Sequence, residues 1–150
     1  EVVLLSAIKD VFENQHLRLK EKGISYKIEI NENIKVHGNY HLITSIFQNL
    51  VENTIRYAGE GVEINITNYH SDQKYHYFTY TNNGKSIPEE HLPRLFERFY
   101  RADEGRTRES GGTGLGLAIV KNAVQLHKGE ISVRNRPEGG IEFIFSLARF

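Results

Sequence analysis

Apolar residues between Val2 and about Lys22 fall at Val3, Leu4, Ala7, Ile8, Val11, Phe12 and Leu19, mostly at helical spacing, and Gly23 supplies the stop. The pattern predicts one amphipathic helix. Ile24–Ile30 then alternates with the period of a strand, Ile34–His37 reads as a short second strand closed by Gly38, and Asn39 can cap the next helix. That helix, from Tyr40 to about Tyr57, gathers Ile43, Ile46, Phe47, Leu50 and Val51 on one face, with Asn49, Asn53, Arg56 and Tyr57 beside it. Val62–Ile66 and Tyr75–Thr81 alternate as strands joined by a polar hairpin. A short helix is expected over Glu89–Arg94, and the charged, aperiodic residues 102–110 read as a mobile loop. A glycine cluster runs directly into an apolar helix reaching His127, and strands over Glu130–Arg134 and Ile141–Leu147 close the chain.

Hairpins join successive strands, which disfavours a doubly wound sheet. The economical packing is α+β: a two-layer α/β sandwich with a mixed sheet of about five strands covered on one face by three main helices. At 150 residues the chain is expected to form one domain, residues 1–150. Its 19 basic and 19 acidic residues balance, so no overall field favours nucleic acid or an acidic membrane surface. The absence of Cys removes disulfides, thiolate catalysis and Cys-ligated zinc. No apolar run approaches the roughly 20 residues of a bilayer span. The first residue is Glu1 rather than Met, which reads as a piece excised from a longer protein.

Chemistry concentrates in three places. Glycines alternate at Gly112, Gly114 and Gly116, around Thr113 and Leu115, just before a helix; backbone N–H groups there can converge on an anion, or the stretch can be a plain loop and cap. Asn49 and Asn53 stack on one helix face, where an amide oxygen suits Mg²⁺ and Arg56 adds charge for phosphate, although an Asn pair can equally bond neighbouring backbone. Asn82 shares a sheet face with Phe78 and Tyr80 at the mouth of the core, where it can select a base edge or simply form the turn Asn82-Asn83-Gly84.

In this order the pieces resemble the catalytic domain of histidine kinases over the whole chain. Asn49-Leu50-Val51-Glu52-Asn53 looks like the N box, Asn82 to Ser86 like the G1 box, Leu95-Phe96-Glu97-Arg98-Phe99-Tyr100-Arg101 like the F box, and Gly112 to Gly116 like the G2 box. Within the family, the F-box and glycine stretches are similar to the phosphate-sensor type of sensor kinase. The resemblance implies a Bergerat fold that takes ATP or ADP with Mg²⁺ between helices and sheet, beneath a lid over residues 102–111. It implies Asn53 as metal holder with Asn49 nearby, and Arg56 and Tyr57 on phosphate and nucleoside. Phe99, Tyr100 and Arg101 would close over ribose and phosphates, Asn82, Gly84, Ser86 and Ile87 would form the adenine end, and the backbone of Gly112, Thr113, Gly114, Leu115 and Gly116 would take phosphate oxygens. Asn49, Asn53, Arg56 and Arg101 are the candidates for catalysis.

Two positions depart from the family pattern: Asn82 stands for its Asp, and Ser86 for its second G1 glycine. Weaker adenine binding is expected, with added strain at Ser86 if that position needs positive φ. Gyrase-type ATPases place a Glu base where this chain has Asn49, and Glu52 is expected to point away as a solvated carboxylate. Transfer of the γ-phosphoryl group to a protein histidine fits better than hydrolysis. None of the seven histidines sits in the family's phosphoacceptor context, so the acceptor belongs to a dimerisation domain outside this sequence. The implied setting is a homodimeric parent anchored in the inner membrane, with this domain cytoplasmic, free to be monomeric when excised, and a response regulator downstream. A nucleotide-gated module of weak or no catalytic activity is the alternative that Asn82 and Ser86 leave open.

Overall fold

The computed structural model describes residues 1–101 and 114–150. Its elements run β1 (Val2–Val3), α1 (Leu4–Asn14), α2 (His16–Glu21), β2 (Ser25–Glu29), β3 (Lys35–Val36), α3 (Tyr40–Tyr57), β4 (Glu63–Ser71), β5 (Tyr75–Asn82), a 3-10 helix (Glu89–Arg94), α4 (Gly116–Leu126), β6 (Ile131–Asn135) and β7 (Ile141–Ala148). The main sheet has the order β2-β4-β5-β7-β6, parallel between β2 and β4 and antiparallel elsewhere. Helices α1, α3 and α4 bury their apolar stripes against one face, so the expected two-layer α+β sandwich is the fold observed. Strand β5 alternates cleanly, sending His76, Phe78, Tyr80 and Asn82 inward. The rings of Phe47, Phe78 and Phe145 meet at the centre, with Phe145 5.8 Å from Phe47 and 5.4 Å from Phe78.

The single N-terminal helix expected from periodicity is instead three elements. Val2–Val3 pairs antiparallel with β3, and the helix after it breaks at Gln15 (φ −99°, ψ 6°), whose side chain is buried. A buried amide needs partners, and turning Gln15 inward toward α3 supplies them. The 3-10 geometry over Glu89–Arg94 accommodates Pro93, which cannot donate within a longer α-helix.

Two buried polar contacts fix the helices that flank the site. The Tyr80 hydroxyl lies 2.7 Å from Thr54 Oγ1 and donates to the Leu50 carbonyl at 3.1 Å, tying β5 to the middle of α3. Burial pushes the Tyr80 pKa up, so this hydroxyl stays neutral. His127 donates Nδ1–H to the Ala123 carbonyl at 2.7 Å and accepts the Asn39 backbone N–H on Nε2 at 3.2 Å. Asn39 caps α3 as expected, accepting from the Leu42 N–H. One ring thus joins the end of α4 to the start of α3, and Gly38 makes room for it: a Cβ there would lie 2.1 Å from His127 Cδ2.

Candidate functional site

Helix α3 carries the first group of candidates. Asn49 donates Nδ2–H to the Ser45 carbonyl at 2.8 Å, which turns its Oδ1 toward the start of α4, where a Cβ on Gly116 would lie 3.3 Å from that oxygen. One turn on, Asn53 is half-buried, and among the described residues its side-chain amide has no hydrogen-bond partner. A half-buried amide without a protein partner has the chemistry of a ligand-facing group. Among the described residues no cluster of three acidic, His or Cys side chains could hold a metal. The Asn53 amide oxygen is a neutral, hard donor of the kind Mg²⁺ takes alongside water and phosphate oxygens.

Glu52 is not the solvated carboxylate expected from its position around the helix. It forms ion pairs with Arg18 at 2.6 Å and Arg56 at 2.9 Å, and only about a quarter of its side chain is exposed. Burial acts to raise its pKa, but the hydrogen bonds and charges of the two arginines outweigh that and hold it below the usual carboxylate value. The expectation fails because Arg18 comes from α2, a partner that helical geometry within α3 cannot reveal. Arg56 and Tyr57, both half-buried, complete this end of the helix.

The turn after β5 forms the second group. Asn82 is 1% exposed, and its Oδ1 accepts the Gly84 N–H at 3.1 Å. Only the oxygen can take that N–H, so Nδ2 is the free corner of the amide and has no partner among the described residues. Gly84 is required by close approach: a Cβ would lie 2.3 Å from the Ala58 carbonyl oxygen at the end of α3, to which Lys85 N–H also bonds at 3.1 Å. The strain anticipated at Ser86 is absent, because the non-glycine residues with positive φ among those described are Phe99 and Lys128. Ser86 Oγ instead accepts the Gly140 N–H at 3.2 Å, so the side chain that replaces glycine contributes a bond to the β6–β7 connection.

Three residues in this turn escape a reading of the sequence. Asn135 accepts the Ile87 N–H at 2.8 Å and donates to the Ile87 carbonyl at 2.6 Å, pinning the G1 segment to β6. Arg136 donates to the Asn82 carbonyl at 3.2 Å, and Gly140 (φ +88°) has no room for a Cβ, which would lie 1.9 Å from that same carbonyl oxygen. In sequence these residues look like an ordinary connection between strands. The Gly139-Gly140 pair is the available signal.

The third group flanks residues 102–113. Phe99 (φ 65°) donates its N–H to the Gly114 carbonyl at 2.7 Å, and Gly114 (φ +76°) lies so close that a Cβ would sit 2.7 Å from Phe99 Cα. Tyr100 is half-buried, its hydroxyl bonded to His91 Nδ1 and its ring 4.5 Å from the Arg94 guanidinium. Arg101 is also half-buried, while Leu115 precedes Gly116 at the start of α4. Gly112 and Thr113, like the expected lid over residues 102–111, lie outside the described residues.

Helix α3 thus meets the start of α4 at Asn49 and the turn after β5 at Ala58. Residues 38–149 match the family described as histidine kinase-, DNA gyrase B-, and HSP90-like ATPase. The chain belongs to this family. Among curated relatives, the signal transduction histidine-protein kinase BaeS of Escherichia coli is 34% identical over 130 residues, 87% of this chain and 28% of that protein. The E. coli sensor histidine kinase CpxA is 37% identical over 112 residues, 75% of this chain and 24% of its own length. The chain spans about a quarter of the length of these relatives. Among solved structures, the catalytic domain of histidine kinase ThkA, nucleotide-free, superposes with a TM-score of 0.83 at 29% identity, covering 99% of this chain and 93% of that one. The mycobacterial sensor histidine kinase MprB, at 24% identity and a TM-score of 0.84 over 99% and 97% of the two chains, shares the fold.

Proposed function

We propose that this chain is the ATP-binding catalytic domain of a two-component sensor kinase, which passes the γ-phosphoryl group of Mg-ATP to a histidine on a dimerisation domain outside this sequence. The observation that carries the reading is the Asn53 amide, without a hydrogen-bond partner among the described residues, set one turn from Asn49 and beside the Arg56–Glu52 pair in a member of this ATPase family. Bound Mg²⁺ supplies charge neutralisation across the phosphates and alignment of the transferred group. Asn53 offers that ion an amide oxygen. Arg56 and Arg101 compensate phosphate charge, and the backbone of Gly112 to Gly116, which leads into α4, is assigned to phosphate oxygens by the same reading. Asn82, Gly84, Ser86 and Ile87 hold the adenine end, with Tyr57, Phe99 and Tyr100 against the nucleoside.

Beside Asn53, α3 presents no ready base for hydrolysis. Asn49 cannot take a proton, and Glu52 has both oxygens on arginines and a lowered pKa, which makes it a poor proton acceptor. Transfer to a protein acceptor needs positioning more than water activation. ThkA, similar in fold, has been solved in complex with the response regulator protein TrrA, which supports a response regulator as the onward partner of this chain's parent. Among the described residues no helix is long and apolar enough to cross a membrane. We place the domain on the cytoplasmic side of a homodimeric parent anchored in the inner membrane.

Calorimetric titration of Mg-ATP into the wild-type chain and an Asn53→Ala variant tests the site. Binding should be lost in the variant with an unchanged circular dichroism spectrum; affinity surviving the substitution refutes the metal assignment. Mixing the domain with its parent's dimerisation region and labelled ATP then tests transfer. A domain that binds ATP and transfers nothing is the nucleotide-gated module instead.

A further inference from the structure

Arg18 lies on α2, away from the candidate phosphate-binding groups, yet one carboxylate ties it to them. Its Nη1 donates to Glu52 Oε2 at 2.6 Å, while Arg56 approaches Glu52 Oε1 with Nε and Nη2, each at 2.9 Å. Gln15, buried at the break between α1 and α2, accepts from Arg18 through Oε1 at 3.4 Å and aims Nε2 at Glu52 Oε2 at 3.5 Å. Each carboxylate oxygen therefore serves a different arginine. The break in the N-terminal helix, otherwise a loss of regular hydrogen bonding, is what brings Gln15 and Arg18 to this oxygen pair.

Charge counting separates this arrangement from a plain strut between helices. A Glu52–Arg56 pair alone sums to zero, and a phosphate approaching Arg56 would have to compete with the carboxylate for the same guanidinium. With Arg18 the triad carries a net charge of +1, and the carboxylate's field is divided between two cations. Resting on the function proposed above, we infer that Glu52 and Arg18 are positioning residues for the phosphate end of the site. Glu52 fixes the orientation of Arg56, and Arg18 draws off the carboxylate's charge so that the triphosphate meets a positive group. The side chains are partly exposed, 45% for Arg18 and 27% for Arg56, so solvent and salt moderate the effect.

Mg-ATP and Mg-ADP affinities of the 150-residue chain at low and high salt test the relay. Arg18→Met should weaken Mg-ATP binding about threefold to tenfold, Mg-ADP less, with the loss shrinking at high salt, and Arg18→Lys should restore most of it. In a Glu52→Gln background, Arg18→Met should change the affinity less than twofold, because the carboxylate whose field Arg18 divides is gone. Mere strutting would lower thermal stability without altering the preference for ATP over ADP. Unchanged ATP affinity in Arg18→Met, or equal losses for ATP and ADP at both salt concentrations, overturns the inference. An Asn53→Ala control separates the two ideas: if it abolishes binding while Arg18→Met does nothing, only the relay falls. If the wild-type chain binds neither nucleotide, the proposed function falls and the relay with it.

Discussion

Asn82→Asp exchanges one heavy atom at the adenine end, the Nδ2 amino group for a carboxylate oxygen. In the structure Oδ1 is held by the Gly84 N–H, so the free corner of the side chain is the Nδ2 amino group, a donor where an exocyclic adenine amine requires an acceptor. The carboxylate keeps the Gly84 bond and turns that corner into a charged acceptor. A charge-assisted hydrogen bond is worth roughly 1 kcal/mol more than a neutral one, about fivefold in affinity. The same carboxylate is buried before ligand arrives, with one N–H and the nearby Arg136 guanidinium to offset its desolvation. The free protein should therefore lose about 1 kcal/mol of stability, a fall in Tm of about 2 to 4 °C. Calorimetric titration should show Mg-ATP binding several-fold tighter, and thermal unfolding without ligand should show the small loss. Equal or weaker affinity in a variant that keeps the native circular dichroism spectrum refutes the assignment of Asn82 to the base edge.

Gly84→Ala must push the turn away from α3, since its Cβ would lie 2.3 Å from the Ala58 carbonyl oxygen and threaten the Lys85–Ala58 bond; overpacking plus a lost hydrogen bond costs about 2 to 4 kcal/mol. A Tm drop of about 5 to 15 °C should appear in calorimetry, and a change below about 2 °C would show that the contact is slack. His76 is buried beside Ser71 Oγ, and burial, then the charge of Arg149, push its pKa below the ordinary 6.5. The folded chain thus prefers the neutral ring while the unfolded chain takes up a proton near pH 6.5, so this stability is complete above that pH and is lost as pH falls toward the lower folded-state value. Urea midpoints from pH 7.5 to 5.5 should fall less steeply in His76→Asn than in the wild type; parallel curves would remove His76 from the acid response.

Elements with a strict apolar period are legible from the chain alone. Helix α3 is placed by Ile43, Ile46, Phe47, Leu50 and Val51 and by its Asn39 cap, because packing and capping leave local marks. The inward set of β5 is legible for the same reason. What the chain conceals is polar pairing between residues far apart in sequence. Gln15 falls on the apolar stripe of Val11, Phe12 and Leu19, but nothing local names Glu52, 37 residues on, as the partner of its buried amide, and Asn135 looks like a turn residue until Ile87 meets it from 48 residues away. Side-chain hydrogen bonds of that span impose no period. The same blindness explains why Ser86 suggests strain, when the Gly140 N–H makes it a favourable contact.

The back-to-back contact of Phe99 and Gly114 joins the chain to itself on either side of residues 100–113. Residue 114 must therefore stay without a side chain for the F-box segment and the start of α4 to touch, and any Cβ there would part the two segments.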